Sequence, residues 1–357
     1  MCDQRDPKNL SGDGQPSLEF GPKVPYVPRR RNVWSPAVNE IVHAQKNLGA
    51  PLPIMRDTTR RLALATVAAT LLLVAIGGYT RGSGSGYGCS DRWPLCEGGA
   101  LGGMLPRWEH HMFIEWTHRW MAATVGLLAV ATAVSTWRHF RRRRNVLWPS
   151  GAAVAVIGLQ AWVGRMVVKE DLDADLVSVH LAISMIVLAL VTVTAVGAGP
   201  TTALPAVGPS VNTRGWIRLV GVGATGSLLV LLLGSYVHNM YFSGWPLVGN
   251  TLLPKFTNRY LTVHFAHRVG AALVMMLLLY IAVAAVRRDR PPAERLLLGG
   301  AAAGFAANVG LGAVHVVTEV DSSALIAIHL LVAALVWAQL VAATAQATQA
   351  ARHLSLP

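Results

Sequence analysis

The chain has 357 residues, 53% of them hydrophobic and only 14% charged, and its mean hydropathy of +0.43 excludes an ordinary soluble domain. A net charge of +13 would suit a nucleic-acid binder, but the basic residues fall in short runs between apolar segments, which is the positive-inside pattern of a membrane protein. Three cysteines exclude a disulfide scaffold and any cluster held by four thiolates, leaving Cys89 and Cys96 as one candidate pair.

Residues 1–56 are rich in Pro, Asn, Gln and charge, include Arg29, Arg30 and Arg31, and hold no apolar stretch that could form the core of a signal peptide. They read as a disordered cytoplasmic tail, and Met55, followed by Arg56 and then a span, reads as an alternative start. Apolar segments of spanning length, about 20 residues each, follow at Leu62–Thr80, Met112–Thr136, Val146–Val167 and Leu176–Val196, then at Trp216–Val237, Leu261–Val286, Arg295–Val317 and Ala324–Ala343. The connections alternate in character. Arg56, Arg60 and Arg61, then Arg138 with Arg141 to Arg144, then Arg214 and Arg218, then Arg287, Arg288, Arg290 and Arg295 all fall on one side of an eight-span layout, which marks that side and both termini as cytoplasmic.

The predicted fold is an all-α polytopic membrane protein, eight transmembrane helices arranged as two tandem four-helix bundles. A half with an even number of spans leaves the next half in the same orientation, so the pseudo-twofold axis relating them should run along the membrane normal. The expected boundaries are a tail at 1–56, an N-terminal half at 57–198, a cytoplasmic linker at 199–214, a C-terminal half at 215–346 and a second cytoplasmic tail at 347–357.

Ionisable residues inside spans are costly and mark functional sites by default, and here they come in matched sets. His118-Arg119 opens the second span and His267-Arg268 the sixth; His180-Leu181 opens the fourth and His329-Leu330 the eighth. The separation of His118 from His180 equals that of His267 from His329, and at the same offset between halves Ala122 and Ala123 fall on Ala271 and Ala272. This is an internal duplication. The outer loops repeat as well: Trp93-Pro94-Leu95 recurs as Trp245-Pro246-Leu247, but Cys96 follows the first triplet and Val248 the second.

Two neutral imidazoles facing each other at one depth can provide both axial ligands of a haem iron. The pairs would be His118 with His180 and His267 with His329, and the lack of a Cys-x-x-Cys-His motif excludes covalent attachment. Zinc fits less well, because its tetrahedral sites draw on thiolates or carboxylates that the second half hardly offers. Glu115 lies three residues before His118 and shares its helix face, whereas the matching position of the second half is His264. A carboxylate beside one pocket alone predicts one reactive site and one electron-transfer site; the alternative is an interfacial Glu115 that meets water or pairs with Arg119 or Arg107. Arg119 and Arg268 are candidates for haem propionates or for acids of the outer loops. His110, His111, His238 and His315 read as interface or loop residues, and Trp116 and Trp120 fit an aromatic belt as well as a porphyrin contact. Cys89 and Cys96 would lie on the oxidising side, where a disulfide is plausible.

Taken together, Glu115-x-x-His118-Arg119, His180-Leu181, His267-Arg268 and His329-Leu330, on duplicated four-helix halves with Trp-Pro-Leu-Cys in the first outer loop, resemble the haem A synthase family over roughly residues 60–345. The resemblance implies an oxidoreductase that converts the C8 methyl of haem O to the formyl of haem A by successive hydroxylations, for haem A-containing terminal oxidases. It implies haem b as cofactor, held by His267 and His329, with His118 and His180 facing the substrate haem and Glu115 as the catalytic acidic residue. It also implies that Cys89 and Cys96 are the outer-loop pair some members carry. Two features depart from the pattern: the second outer loop has no cysteine pair, and the stretch Lys169–Asp175 is unusually acidic.

Haem O, the farnesyltransferase that makes it, terminal-oxidase assembly factors and membrane lipids are the partners implied. Nucleic acid is not among them, and homo-oligomerisation stays open. An Ala-, Gly- and Arg-rich composition points to a bacterial plasma membrane. The competing function is a non-catalytic dihaem membrane cytochrome b passing electrons between a quinone and an outer-face partner, which would explain the histidines but not Glu115. A transporter fits less well, because a parallel repeat offers no evident alternating-access route.

Overall fold

In a computed structural model the chain is described over residues 53–199, 213–236, 244–245, 251, 253–319 and 321–354. The expected tail up to residue 52, most of the linker, His238 and the Pro246-Leu247 repeat lie outside the described residues, as does Val248. Among the described residues the architecture is all helical, with eight helices long and apolar enough to cross a membrane. They are α1 (Pro53–Gly82), α2 (His110–Phe140), α3 (Arg144–Lys169), α4 (Ala174–Ala198), α5 (Thr213–Tyr236), α6 (Arg259–Arg287), α7 (Pro292–Val317) and α8 (Ser323–Leu354). All eight expected spans are found, and most helices overrun them by about a turn. Hydropathy marks the hydrocarbon-crossing part of a helix, whereas the backbone goes on satisfying its own hydrogen bonds into the polar edge. Thus α1 starts at Pro53, inside the stretch assigned to the tail, and α8 runs to Leu354, past the boundary expected at 346.

Local chemistry sets several helix ends. The Asp173 side chain caps α4 by accepting from the Asp175 and Leu176 N–H groups, Asn258 caps α6 by accepting from the Leu261 N–H, and Pro292 takes the first position of α7, where its missing N–H costs nothing.

Each half closes on itself. Helix α1 packs on α2, α2 on α3, α3 on α4 and α4 back on α1; α5 to α8 repeat this ring. The halves meet through α4 and α8, with α1 against α8 and α4 against α5. One apolar core unites Trp216, Val220, Leu278, Leu298 and Leu340 of the second half. Another, around Met185, Leu188, Leu231 and Ala334, joins α4 to α5 and α8 across the seam, where Trp337 Nε1 also donates to Met185 O at 3.0 Å.

The two halves are tied differently toward their arginine-bearing ends. Between α1 and α2, hydroxyls form a polar seam: Thr59 bonds Ser135 at 2.7 Å and Thr66 bonds Thr132 at 3.0 Å, all buried. In the second half Glu294 is buried between two partners, accepting from Trp216 Nε1 and from Arg290 at 3.0 Å, while Arg288 and Arg290 stack over the Trp216 ring. A buried ion pair of this kind survives only with supporting hydrogen bonds, and the indole N–H is one.

The acidic stretch also has structural work. Besides the Asp173 cap, Asp171 accepts from Tyr87 OH at 2.7 Å, which ties the first interhelical loop to the α3–α4 turn. Asp175 reaches Tyr236 at the end of α5, where Arg259 of α6 stacks on Tyr236 and Tyr260. Three carboxylates in seven residues thus serve three different connections.

Candidate functional site

His118 and His267 stand at the same step along α2 and α6, and His180 and His329 at the same step along α4 and α8. The folded chain brings each expected pair together: His118 and His180 lie within electrostatic reach of one another, as do His267 and His329. All four residues are half-buried.

The rings are oriented alike. Nδ1 is buried in His118, His180 and His329 without a hydrogen-bond partner. In His267 it lies 2.8 Å from the Val230 carbonyl oxygen. A carbonyl only accepts, so His267 must carry its proton on Nδ1 and present the lone pair of Nε2. His118, His180 and His267 each lie with the Cε1 and Nδ1 edge nearest a glycine of the preceding helix, Gly77, Gly164 and Gly234, and His329 has its Cε1 toward Gly312. In those three rings Nε2 is the nitrogen farther from the glycine. Each half thus holds two imidazoles within reach of one another, with small residues letting the rings sit back against the helices. No cluster of three or more His, Cys, Asp or Glu residues suited to a metal ion exists among the described residues. The donor set thus fits a planar cofactor with two axial positions and does not fit tetrahedral zinc.

Around this shared frame the halves diverge. Glu115 is buried one turn before His118 and its two oxygens are divided. Oε1 accepts from Arg119 Nη2 at 2.5 Å and Nε at 3.0 Å, and Oε2 accepts from the Cys89 backbone N–H at 2.6 Å. Cys89 is joined to Cys96 by a disulfide, and both are fully buried against Met112, with Trp116 alongside. Arg119 Nη1 donates to Arg92 O at 2.7 Å and Leu95 O at 3.2 Å, so one acid–base pair on α2 grips both strands of the disulfide-closed loop. Trp116 Nε1 donates to Met104 O at 2.8 Å and Arg107 Nε to Gly98 O at 2.6 Å, pinning the rest of that loop. The alternative of a Glu115–Arg119 pair is thus realised, and Arg119 is engaged by loop groups.

In the second half His264 occupies the Glu115 position, near Arg268 and His267. Arg268 donates to Gly244 O at 2.6 Å. The ring of His315 packs edge-on against His329, centroids 5.2 Å apart, and His315 also hydrogen-bonds the Leu325 backbone. Reading His315 as a loop or interface residue missed this contact. Nothing in the sequence set His315 apart, because the contact depends on α7 and α8 being neighbours. His111 does serve the loop, through Ser85 at 3.0 Å. The surface groove lined by Trp137, Leu147 and Gly151 is roughly 25 Å along α2 from His118 and offers only apolar walls and a serine.

Fold and site together define a multi-pass membrane protein built on two intramembrane histidine pairs, one of them with a buried carboxylate beside it. The chain belongs to the cytochrome oxidase assembly protein family (COX15-CtaA), whose model matches residues 60–341. It is similar to the heme A synthase of Symbiobacterium thermophilum, 31% identical over 229 residues that cover 60% of this chain and 72% of that protein. The heme A synthase of Bacillus licheniformis is 31% identical over 137 residues, 38% of this chain and 44% of the relative. That of Shouchella clausii is 25% identical over 62% of this chain and 73% of its own length.

Proposed function

We infer that this protein is a haem A synthase, an oxidoreductase that takes the C8 methyl of haem O to the formyl of haem A for haem A-containing terminal oxidases. The observation that carries this reading is the buried Glu115, one turn from His118 in a half whose duplicate has His264 at that position. A dihaem electron carrier would have no use for that difference.

Haem b is the resident cofactor, on His267 and His329, and haem O is the substrate, between His118 and His180. The Nδ1–H of His267 on the Val230 carbonyl supports this division, because an outer partner fixes a ligand's tautomer and raises its basicity. His118, His180 and His329 have no such partner, so the division leans on His267 alone. Carrying a methyl to the formyl level removes four electrons, which no side chain can accept; a haem held by His267 and His329 would relay them one at a time to an acceptor outside this chain. Glu115 would hold a proton or stabilise positive charge developing at the reacting carbon, and the Arg119 guanidinium and Cys89 N–H orient its two oxygens. Arg119 is committed to Glu115 and loop carbonyls and Arg268 donates to Gly244 O, so a propionate would have to share either guanidinium with those groups.

The pseudo-twofold along the membrane normal is supported by the repeated ring of helix contacts and the repeated seating of histidines on glycines. The arginine clusters at one end of the bundle support cytoplasmic termini, in the plasma membrane of a bacterium. The farnesyltransferase that supplies haem O and oxidase assembly factors are the partners this reaction requires.

Extraction of the haems copurifying from cells that make haem O tests the assignment. Haem b together with haem O, hydroxylated haem O or haem A is expected. Two haem b per chain despite available haem O would instead establish the dihaem cytochrome.

A further inference from the structure

The four glycines under the histidines are on four different helices, and each lies on the helix that precedes the one bearing its histidine. Helix glycine is unfavourable unless something uses the missing side chain. At Gly234 the use is direct: a Cβ there would lie 2.8 Å from His267 Cε1 and 3.2 Å from Nδ1, well inside contact distance. At Gly164 a Cβ would lie 2.9 Å from His180 Cε1, and at Gly77 3.1 Å from His118 Cε1. Gly312 is the loose member, with 3.5 Å to His329 Cε1, an ordinary contact. The tightest seat is also the one with a hydrogen bond, and the two are linked, because Val230 is one helical turn before Gly234 on the same face of α5. A methyl group at 234 would push the ring off the carbonyl that orients it.

We propose that Gly77, Gly164, Gly234 and Gly312 are positioning residues for the haem ligands, each setting how far its imidazole sits back from the pocket. The proposal rests on the reading of the four histidines as haem ligands. The seats are graded: Gly234 holds His267 hardest, Gly164 and Gly77 hold the substrate-side rings, and Gly312 leaves His329 the most freedom. His329 has His315 packed against it instead.

The test is haem content and the low-spin bis-imidazole spectrum of the purified full-length protein carrying Gly234→Ala, with Gly226→Ala as the packing control. Gly226 lies on the same helix, and a Cβ there would come 2.9 Å from Val274 Cγ2, equally tight but away from any histidine. Gly234→Ala should lower haem b retention by about tenfold, the usual scale for losing an outer partner of a ligand, and turn what remains high-spin. Gly226→Ala should keep the wild-type spectrum and Gly312→Ala should shift it least. Unchanged haem in Gly234→Ala, or equal loss in Gly226→Ala, would overturn the proposal.

Gly77→Ala and Gly164→Ala give a second reading that does not depend on Gly234→Ala accumulating. The haem b of the other half reports correct folding while retained haem O should fall several-fold. Wild-type retention of haem O in both would equally overturn it. If His267→Ala and His329→Ala leave the wild-type spectrum intact, the ligand assignment itself has failed, an outcome distinct from any of these.

Discussion

The two halves build the same ring of four helices and the same pair of glycine-seated histidines, yet they surround those histidines with opposite chemistry. In the first half the neighbourhood is a buried carboxylate, its arginine and a disulfide-closed loop hung on both. In the second it is imidazole, His264 on one side and His315 on the other, with one ligand hydrogen-bonded to the backbone. The two halves repeat the helical frame that places the histidines. They differ one turn away on α2 and in the first interhelical loop, where a side chain can change without moving a histidine.

That contrast can be broken most sharply at the ligands. His267→Ala should remove bound haem b almost completely while His118→Ala leaves it in place, as measured by pyridine haemochrome on the purified proteins. Equal loss from both would erase the division between the halves. Next in size, Glu115→Ala should abolish haem A formation with haem b retained, seen by chromatography of extracted haems. It should also leave Arg119 without its carboxylate and the Cys89 N–H without an acceptor, so the loop should become more open to proteolysis than in wild type.

The opposite ends of the bundle sharpen the comparison in stability. Glu294→Ala strands a buried Arg290 and should destabilise the second half by about 3 kcal/mol or more, lowering the thermal midpoint in detergent. The pair Arg290→Met with Glu294→Leu should restore much of that loss, since apolar replacement of a buried ion pair is commonly neutral or better. In the first half, uncoupling Thr66 from Thr132 by Thr→Val at both should cost only about 0.6 kcal/mol, the average for hydrogen bonds between membrane helices.

The smallest effect is spectroscopic. The hydrogen bond to Asp171 pushes the Tyr87 phenol up to about 12. A raised value means the bond contributes below the ordinary tyrosine range near 10 and is lost as pH climbs through about 12. Tyrosinate absorbance of wild type minus Tyr87→Phe should therefore titrate late, and Asp171→Asn should bring it back toward 10.

Much of this protein is local in sequence and could be read there. Twenty apolar residues make a span wherever they occur, arginines mark the ends, and a duplication shows as a constant offset, so eight helices and four ligand candidates need no knowledge of what packs on what. Glu115 stood out for the same reason, as a carboxylate facing a histidine at helical spacing.

Its partners were another matter. Arg119 and Arg107 were equal candidates until the fold put Arg119 one turn above and turned Arg107 to Gly98. Asp171, Asp173 and Asp175 form an acidic run in sequence, but in space they go to Tyr87, to the start of α4 and to Tyr236. The glycines under the four rings are indistinguishable in the sequence from the many that merely let helices approach. What the sequence determined alone is which segments cross and which side chains could hold iron, because hydropathy and helical period act along the chain. What only the tertiary structure decided is which carboxylate, carbonyl and glycine each of those side chains meets, because that depends on which helix becomes the neighbour.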